Sequence, residues 1–139
     1  MFKADNDLEA LMQAAVKEPR RIPAFYTKLL ESEIYILTPE TPLQPNKRRS
    51  LKYKEKLNIA TVEFQGLTWC PAFTSKRRIS DYLKEPEVCL GAVAKDLFEM
   101  LPDANFWLNP LGECQKPIPA SEVALLLNGR IFDVVKTAN

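Results

Sequence analysis

Apolar residues first recur at helical spacing. Leu8, Leu11, Met12 and Ala15 fall at i, i+3, i+4 and i+7, one face of an amphipathic helix. Asn6 ahead of that face and Glu9 three residues later form a capping box, in which Asn6 accepts from the first turn and Glu9 reaches back. Lys17 and then Pro19 close the helix. Ile22, Phe25, Tyr26, Leu29 and Leu30 repeat the spacing and predict a second helix ending near Ser32, with Pro23 in its first turn, where a missing N–H costs nothing. Ile34-Tyr35-Ile36-Leu37 breaks this period. It is apolar on both sides of a pleat and predicts a short strand buried on both faces.

Pro39, Pro42 and Pro45, followed by a basic run, predict an exposed loop over 39–56. Leu57 to Phe64 reads as a strand, Gln65-Gly66 as a tight turn, and Leu67 to Phe73 as the second arm of a hairpin. Pro71 has no N–H for a ladder, so this arm is expected at an edge or broken at that point. Thr74 or Ser75 is expected to cap a short helix through Leu83. Val88 to Leu90 reads as a brief strand, Ala94 to Leu101 as a helix ending before Pro102, and Asn105 to Leu108 as a strand. A loop follows through Lys116. Pro119 then opens a helix with Val123, Leu126 and Leu127 on one face and Asn128-Gly129 as its stop. Residues 130–139 form a C-terminal tail whose apolar Ile131, Phe132, Val134 and Val135 receive no assignment. Helices and strands mix without a regular βαβ alternation, so the expected class is α+β. One domain, 1–139, holds a mixed or antiparallel sheet of about four to five strands covered by about five helices.

Composition narrows the chemistry. The chain has 139 residues, 46% of them hydrophobic, enough for one domain with a continuous core. It has no histidine, which removes Ser-His-Asp triads, Cys-His pairs and His-ligated metals. Cys70, Cys89 and Cys114 are too few and too far apart for a four-thiolate zinc site or a disulfide framework; Cys114, in a polar loop, reads as the most reactive of them. The four glycines are isolated, and neither nucleotide-binding glycine motif occurs. No cofactor or metal is expected. No apolar run approaches the ~20 residues of a membrane span, and the acidic start (Asp5, Asp7, Glu9) is unlike a signal peptide. The expected setting is the cytoplasm, away from any membrane.

A net charge of +1 conceals an asymmetry. Residues 47–84 carry ten basic and three acidic side chains, between acidic flanks. Lys47, Arg48, Arg49, Lys52, Lys54 and Lys56 surround Tyr53. This run is either a solvated loop or a surface for an anionic partner. With one aromatic for stacking, nucleic acid is the weaker choice, and an acidic protein surface serves as well. The second cluster, Lys76-Arg77-Arg78, directly follows Thr74-Ser75. Free backbone N–H groups and cations at a helix start can hold a carboxylate or phosphate; the other reading is an ordinary cap with a basic first turn. Asp96 and Glu99, at i and i+3, read as a wetted helix face. Trp69 and Trp107 are core residues or, where exposed, markers of an interface.

The order of segments resembles the N-terminal domain of the SseB (enhanced serine sensitivity) family over about residues 6–129. The stretches that carry the likeness are residues 25–32 (Phe25 to Ser32) with Ile34 to Leu37, then Pro71-Ala72-Phe73-Thr74-Ser75, then Leu108-Asn109-Pro110 with Lys116, and Ser121 to Leu127. The resemblance implies a small α+β domain, with no catalytic residues carried over. The function expected is a non-enzymatic protein-interaction domain. Its partner is an unidentified protein or a second copy of the chain in a homodimer. The alternative is a binder of a small anion (amino acid, nucleotide or phosphate) at Thr74 to Arg78.

Overall fold

The computed structural model describes residues 3–38, 59–83 and 89–137, the last three as backbone only. The chain opens with α1 (Asp7–Lys17), a 3-10 turn (Pro19–Arg21) and α2 (Ile22–Glu31). Next come β1 (Glu33–Leu37), β2 (Val62–Phe64), β3 (Leu67–Phe73), α3 (Lys76–Tyr82), β4 (Cys89–Val93) and α4 (Ala94–Met100). It ends with β5 (Asn105–Leu108), β6 (Lys116–Ile118), α5 (Ala120–Asn128) and α6 (Ile131–Thr137). The six strands form one mixed sheet of order β4-β1-β3-β5-β6, with β2 also on β3. All pairings are antiparallel except β3 with β5. This is the α+β architecture expected.

One face of the sheet carries the main core. Ile34 and Ile36 of β1, Cys70 and Ala72 of β3, and Phe106 and Leu108 of β5 pack against Leu8 and Met12 of α1, Phe25 and Leu29 of α2, Leu97 and Phe98 of α4, and Val123 and Leu126 of α5. The periodicity of each helix supplies exactly that apolar stripe. The other face is covered only in part by the described residues. Leu37, Phe73 and Cys89 meet Ile79, with Tyr35 and Tyr82 packed alongside, so α3 roofs the β4–β1–β3 corner. The Phe73 and Tyr82 rings lie 5.4 Å apart. Strand β1 is thus buried on both sides, as its unbroken apolar run predicted.

Several expectations are corrected. Pro71 lies in neither an edge strand nor a broken one, because β3 has neighbours on both sides. The Ala72 carbonyl accepts from the Asn109 N–H on the β5 side. By alternation along the strand, Pro71 faces the opposite edge, where β1 pairs down to Ala72 and β2 takes over at Trp69. The missing donor falls at this change of partner. Strand β2 covers only Val62–Phe64 of the expected 57–64, of which 57 and 58 lie outside the described residues. Strand β4 runs on to Val93, beyond the brief 88–90 segment expected. Strand β6 begins at Lys116, where the expected loop ends: three residues with a central proline give no periodicity to read. The unassigned tail forms α6, which begins at the buried Ile131. The β2–β3 turn follows expectation, with Gln65 (φ 54°) and Gly66 (φ 78°) both in the left-handed region that a tight hairpin turn requires. Gly129 (φ 80°) ends α5 in the same region.

Candidate functional site

Two features stand out: a buried polar network where β3 meets α3, and an aromatic surface on the other half of the sheet that no described element covers. The network is centred on Glu9, whose side chain is fully buried. Asn6 caps α1 as expected, its Oδ1 accepting from the Glu9 N–H at 2.9 Å. The reciprocal bond is displaced by one residue: Glu9 Oε1 accepts from the Asp5 N–H at 2.8 Å. Arg78 then grips Glu9 with a two-pronged bond, Nε to Oε2 at 3.0 Å and Nη2 to Oε1 at 2.8 Å, and its Nη2 also donates to the Lys3 carbonyl. Thr74 Oγ1 donates to Glu9 Oε2 at 2.5 Å.

Asn109 closes the far side. Its Nδ2 donates to Thr74 Oγ1 at 2.9 Å and to the Cys114 carbonyl at 3.2 Å, while its Oδ1 accepts from the Thr74 N–H at 3.1 Å. A φ of 49° aims the side chain this way, a conformation asparagine tolerates better than most residues. Burial alone would push the Glu9 carboxyl up. The hydrogen bonds from Arg78, Thr74 and the Asp5 N–H outweigh it and hold the group below its ordinary value. Bonding to Glu9 in turn holds the Arg78 guanidinium above its own.

Four of the five predicted residues, Thr74, Ser75, Arg77 and Arg78, meet at this junction, and Lys76 is the first residue of α3. Ser75 occupies the N-cap position of α3 but makes no capping bond; its Oγ donates to Asp5 Oδ2 at 3.3 Å instead. Arg77 pairs with Asp5 at 3.1 Å, and Arg78 with Glu9 and, at 3.4 Å, Asp81. The anion-binding alternative gains no support from this geometry, because internal carboxylates occupy the place the ligand would take. A cleft of about 750 Å³ adjoins the network, lined by Lys3, Arg77, Tyr82 and the 109–114 loop among others. Cationic and anionic groups (Lys3 and Arg77 against Asp81 and Glu113) share its walls. Lys47, Arg48, Arg49 and Tyr53 lie outside the described residues. The cysteines are all buried free thiols. Burial pushes Cys70 up to about 12, and burial is also the main cause that raises Cys114, so the thiol read as most reactive is shielded.

The second feature occupies the half of the sheet that α3 leaves bare. Phe64 and Trp107 have ring centroids 5.1 Å apart, and Trp69 meets Trp107 edge-on at 6.2 Å. The Trp69 indole N–H donates to the Phe64 carbonyl at 3.2 Å and that of Trp107 to Gln115 Oε1 at 2.9 Å. Both polar tips are thereby satisfied inside the molecule, and the ring surfaces are what remains to present. Leu67 sits directly opposite Phe64. These two are 49% and 47% exposed, beside a buried Trp69 and a half-buried Trp107.

The SseB protein N-terminal domain matches the chain over residues 8–125. The chain belongs to the SseB family. It is 27% identical over 128 residues to Protein SseB of Escherichia coli (strain K12) and equally to Protein SseB of Shigella flexneri, covering 91% of this chain and 48% of each relative. It therefore spans about half the length of the curated relatives it matches. No solved structure matches it. The SseB match takes in Glu9, Thr74, Arg78, Asn109 and the whole aromatic surface. Lys3 and Asp5 lie ahead of it, and α6 lies beyond. Among the described residues no helix is long and apolar enough to cross a membrane.

Proposed function

We propose that this SseB-family domain is a non-enzymatic, cytoplasmic protein-interaction module that docks partners through the aromatic half of its sheet. The observation that carries the reading is the Phe64–Trp69–Trp107 cluster with Leu67 beside it: Phe64 and Leu67 are about half exposed, over a buried Trp69 and a half-buried Trp107. Contiguous patches of this kind mark interaction sites, and tryptophan is enriched among the residues that dominate binding energy. The non-enzymatic part is supported by the network at Glu9. The titratable groups gathered there satisfy one another, and Glu9, the most buried, is closed off from solvent.

The test is affinity capture from native cells with the full chain as bait, against a Phe64→Glu/Leu67→Glu variant. Both positions are about half exposed, so the variant is expected to keep its circular dichroism and unfolding midpoint. Proteins retained by the natural chain and lost with the variant support the reading. Equal retention by both moves docking to another surface, and turnover traced to the Glu9 cleft would overturn the non-enzymatic half.

A further inference from the structure

We infer that residues 3–6 are a strap that latches α3 to the sheet, and that α3 opens and closes with it as a local unit. This device is separate from the docking surface proposed above.

A latch is needed because α3 lacks what holds a helix by itself. Its seven residues are too few for a helix to persist alone in water. Its first turn is Lys76, Arg77 and Arg78 with no acidic residue, the unfavourable charge for a helix start. Ser75 stands at the N-cap but directs its hydroxyl to Asp5 and makes no capping bond. The apolar hold on the sheet is also small. Ile79 is the one buried side chain of α3, with Tyr82 and the following Leu83 half-buried alongside. An element with so little buried apolar surface belongs to the low-stability end of a domain.

The strap supplies the missing charge from 70 residues away. Asp5 Oδ1 accepts from Arg77 Nη1 at 3.1 Å, and its Oδ2 accepts from the Ser75 hydroxyl at 3.3 Å. One carboxylate thus serves both the N-cap and the first turn of α3. On either side of it, Asn6 Nδ2 donates to the Thr74 carbonyl at 2.8 Å, and Arg78 Nη2 donates to the Lys3 carbonyl. Three of the four strap residues, Lys3, Asp5 and Asn6, therefore bond to 74–78. The latch has two tiers. The inner pair, Arg78 with Glu9, is 10% and 0% exposed and shielded from salt. The outer pair, Arg77 with Asp5, is 58% and 25% exposed, so ions reach it and opening begins there. When α3 lifts, the Tyr82 ring leaves Phe73, and Leu37 and Phe73 lose the cover that α3 gives them.

The test is hydrogen–deuterium exchange of the full chain, read by mass spectrometry on peptides covering 76–83, with those covering α5 as the internal reference. The natural protein is compared with Asp5→Asn and with Asp7→Asn, which removes the same charge from the first turn of α1. Asp5→Asn is expected to speed exchange over 76–83 by about threefold to tenfold, the combined effect of an exposed ion pair and a charge at a helix end. Asp7→Asn and the α5 peptides are expected to keep natural rates. In about 1 M sodium chloride, where the Debye length falls to about 3 Å, the natural chain is expected to approach the rate of Asp5→Asn. Asp5→Asn/Ser75→Asp returns a carboxylate to the N-cap from within α3 and is expected to restore slow exchange. Natural rates over 76–83 in Asp5→Asn, or an equal rise in Asp7→Asn, overturn the latch. A rise shared by α5 overturns the claim that α3 opens as a local unit. Exchange indifferent to salt, or no rescue by Ser75→Asp, overturns the assignment of the latch to the charge of Asp5.

Discussion

Removing Arg78 while leaving Glu9 in place is the sharpest perturbation of the buried network. In Arg78→Met the long side chain is kept and the guanidinium lost. Glu9 then retains only the Thr74 hydroxyl and the Asp5 N–H as donors, at a position with no water contact. Breaking a buried pair by deleting one partner costs about 3–5 kcal/mol, a large part of the ~5–15 kcal/mol that stabilises a domain of this size. A midpoint drop on the order of 10 °C is expected. The pH dependence carries the diagnosis. In the natural chain the folded-state pKa of Glu9 lies below its ordinary value of 4.5, so its contribution is complete above about pH 4.5 and is lost as pH falls through the lowered value. In Arg78→Met the largest of the lowering interactions is gone and the folded pKa rises. The penalty is then largest at neutral pH and shrinks as acid protonates Glu9. Urea unfolding at pH 4, 5.5 and 7.5 should therefore give a difference between the two proteins that narrows on the acid side. The double variant Glu9→Met/Arg78→Met should recover most of the loss, since two apolar groups leave no orphaned charge. A cost below about 1 kcal/mol, or one that does not change between pH 4 and 7.5, would refute the claim that this pair is buried and coupled.

Asn109→Ala should cost about 2–4 kcal/mol in the same unfolding assay, because it orphans the Thr74 N–H and the Cys114 carbonyl and leaves a left-handed φ on alanine; Asn109→Gly should relieve the backbone part only. Thiol titration at pH 8 should leave Cys70, Cys89 and Cys114 unlabelled in the folded protein and label all three after unfolding; rapid labelling of Cys114 in the folded state would show the 109–114 loop to be open.

Helical periodicity was legible because each of α1, α2, α4 and α5 buries a single stripe against one sheet face, and a stripe is what spacing records. The place of β3 was not. Proline in a strand argues for an edge, and only the three-dimensional arrangement, with β1 and β2 sharing one side of β3, gives Pro71 an interior position without a lost bond. At the junction the cluster Thr74 to Arg78 was visible as charge, but its partners were not. Glu9 lies 69 residues from Arg78 and Asn109 lies 35 from Thr74, and local pattern carries no information about contacts at such separations. Glu9 was legible as a capping residue and is one, displaced by a single N–H; its second role needs the fold. The aromatic surface does leave a signal in the sequence: Val62 with Phe64, and Leu67 with Trp69, are apolar at alternate positions on both arms of the hairpin, and that alternation belongs to the side away from α1, α2, α4 and α5.

The handover from β1 to β2 along one side of β3 has a consequence for engineering. The Ala60 N–H donates to the Leu37 carbonyl at 2.9 Å, so the end of β1 and the approach to β2 are tied together at one point. Pairing on either side of that point is fixed by Ile36 with Ala72 and Val62 with Trp69, whatever sequence runs between. A stretch clamped in this manner can be shortened, lengthened or exchanged for a foreign peptide while the scaffold keeps its register. The domain is thus a natural host for grafted loops.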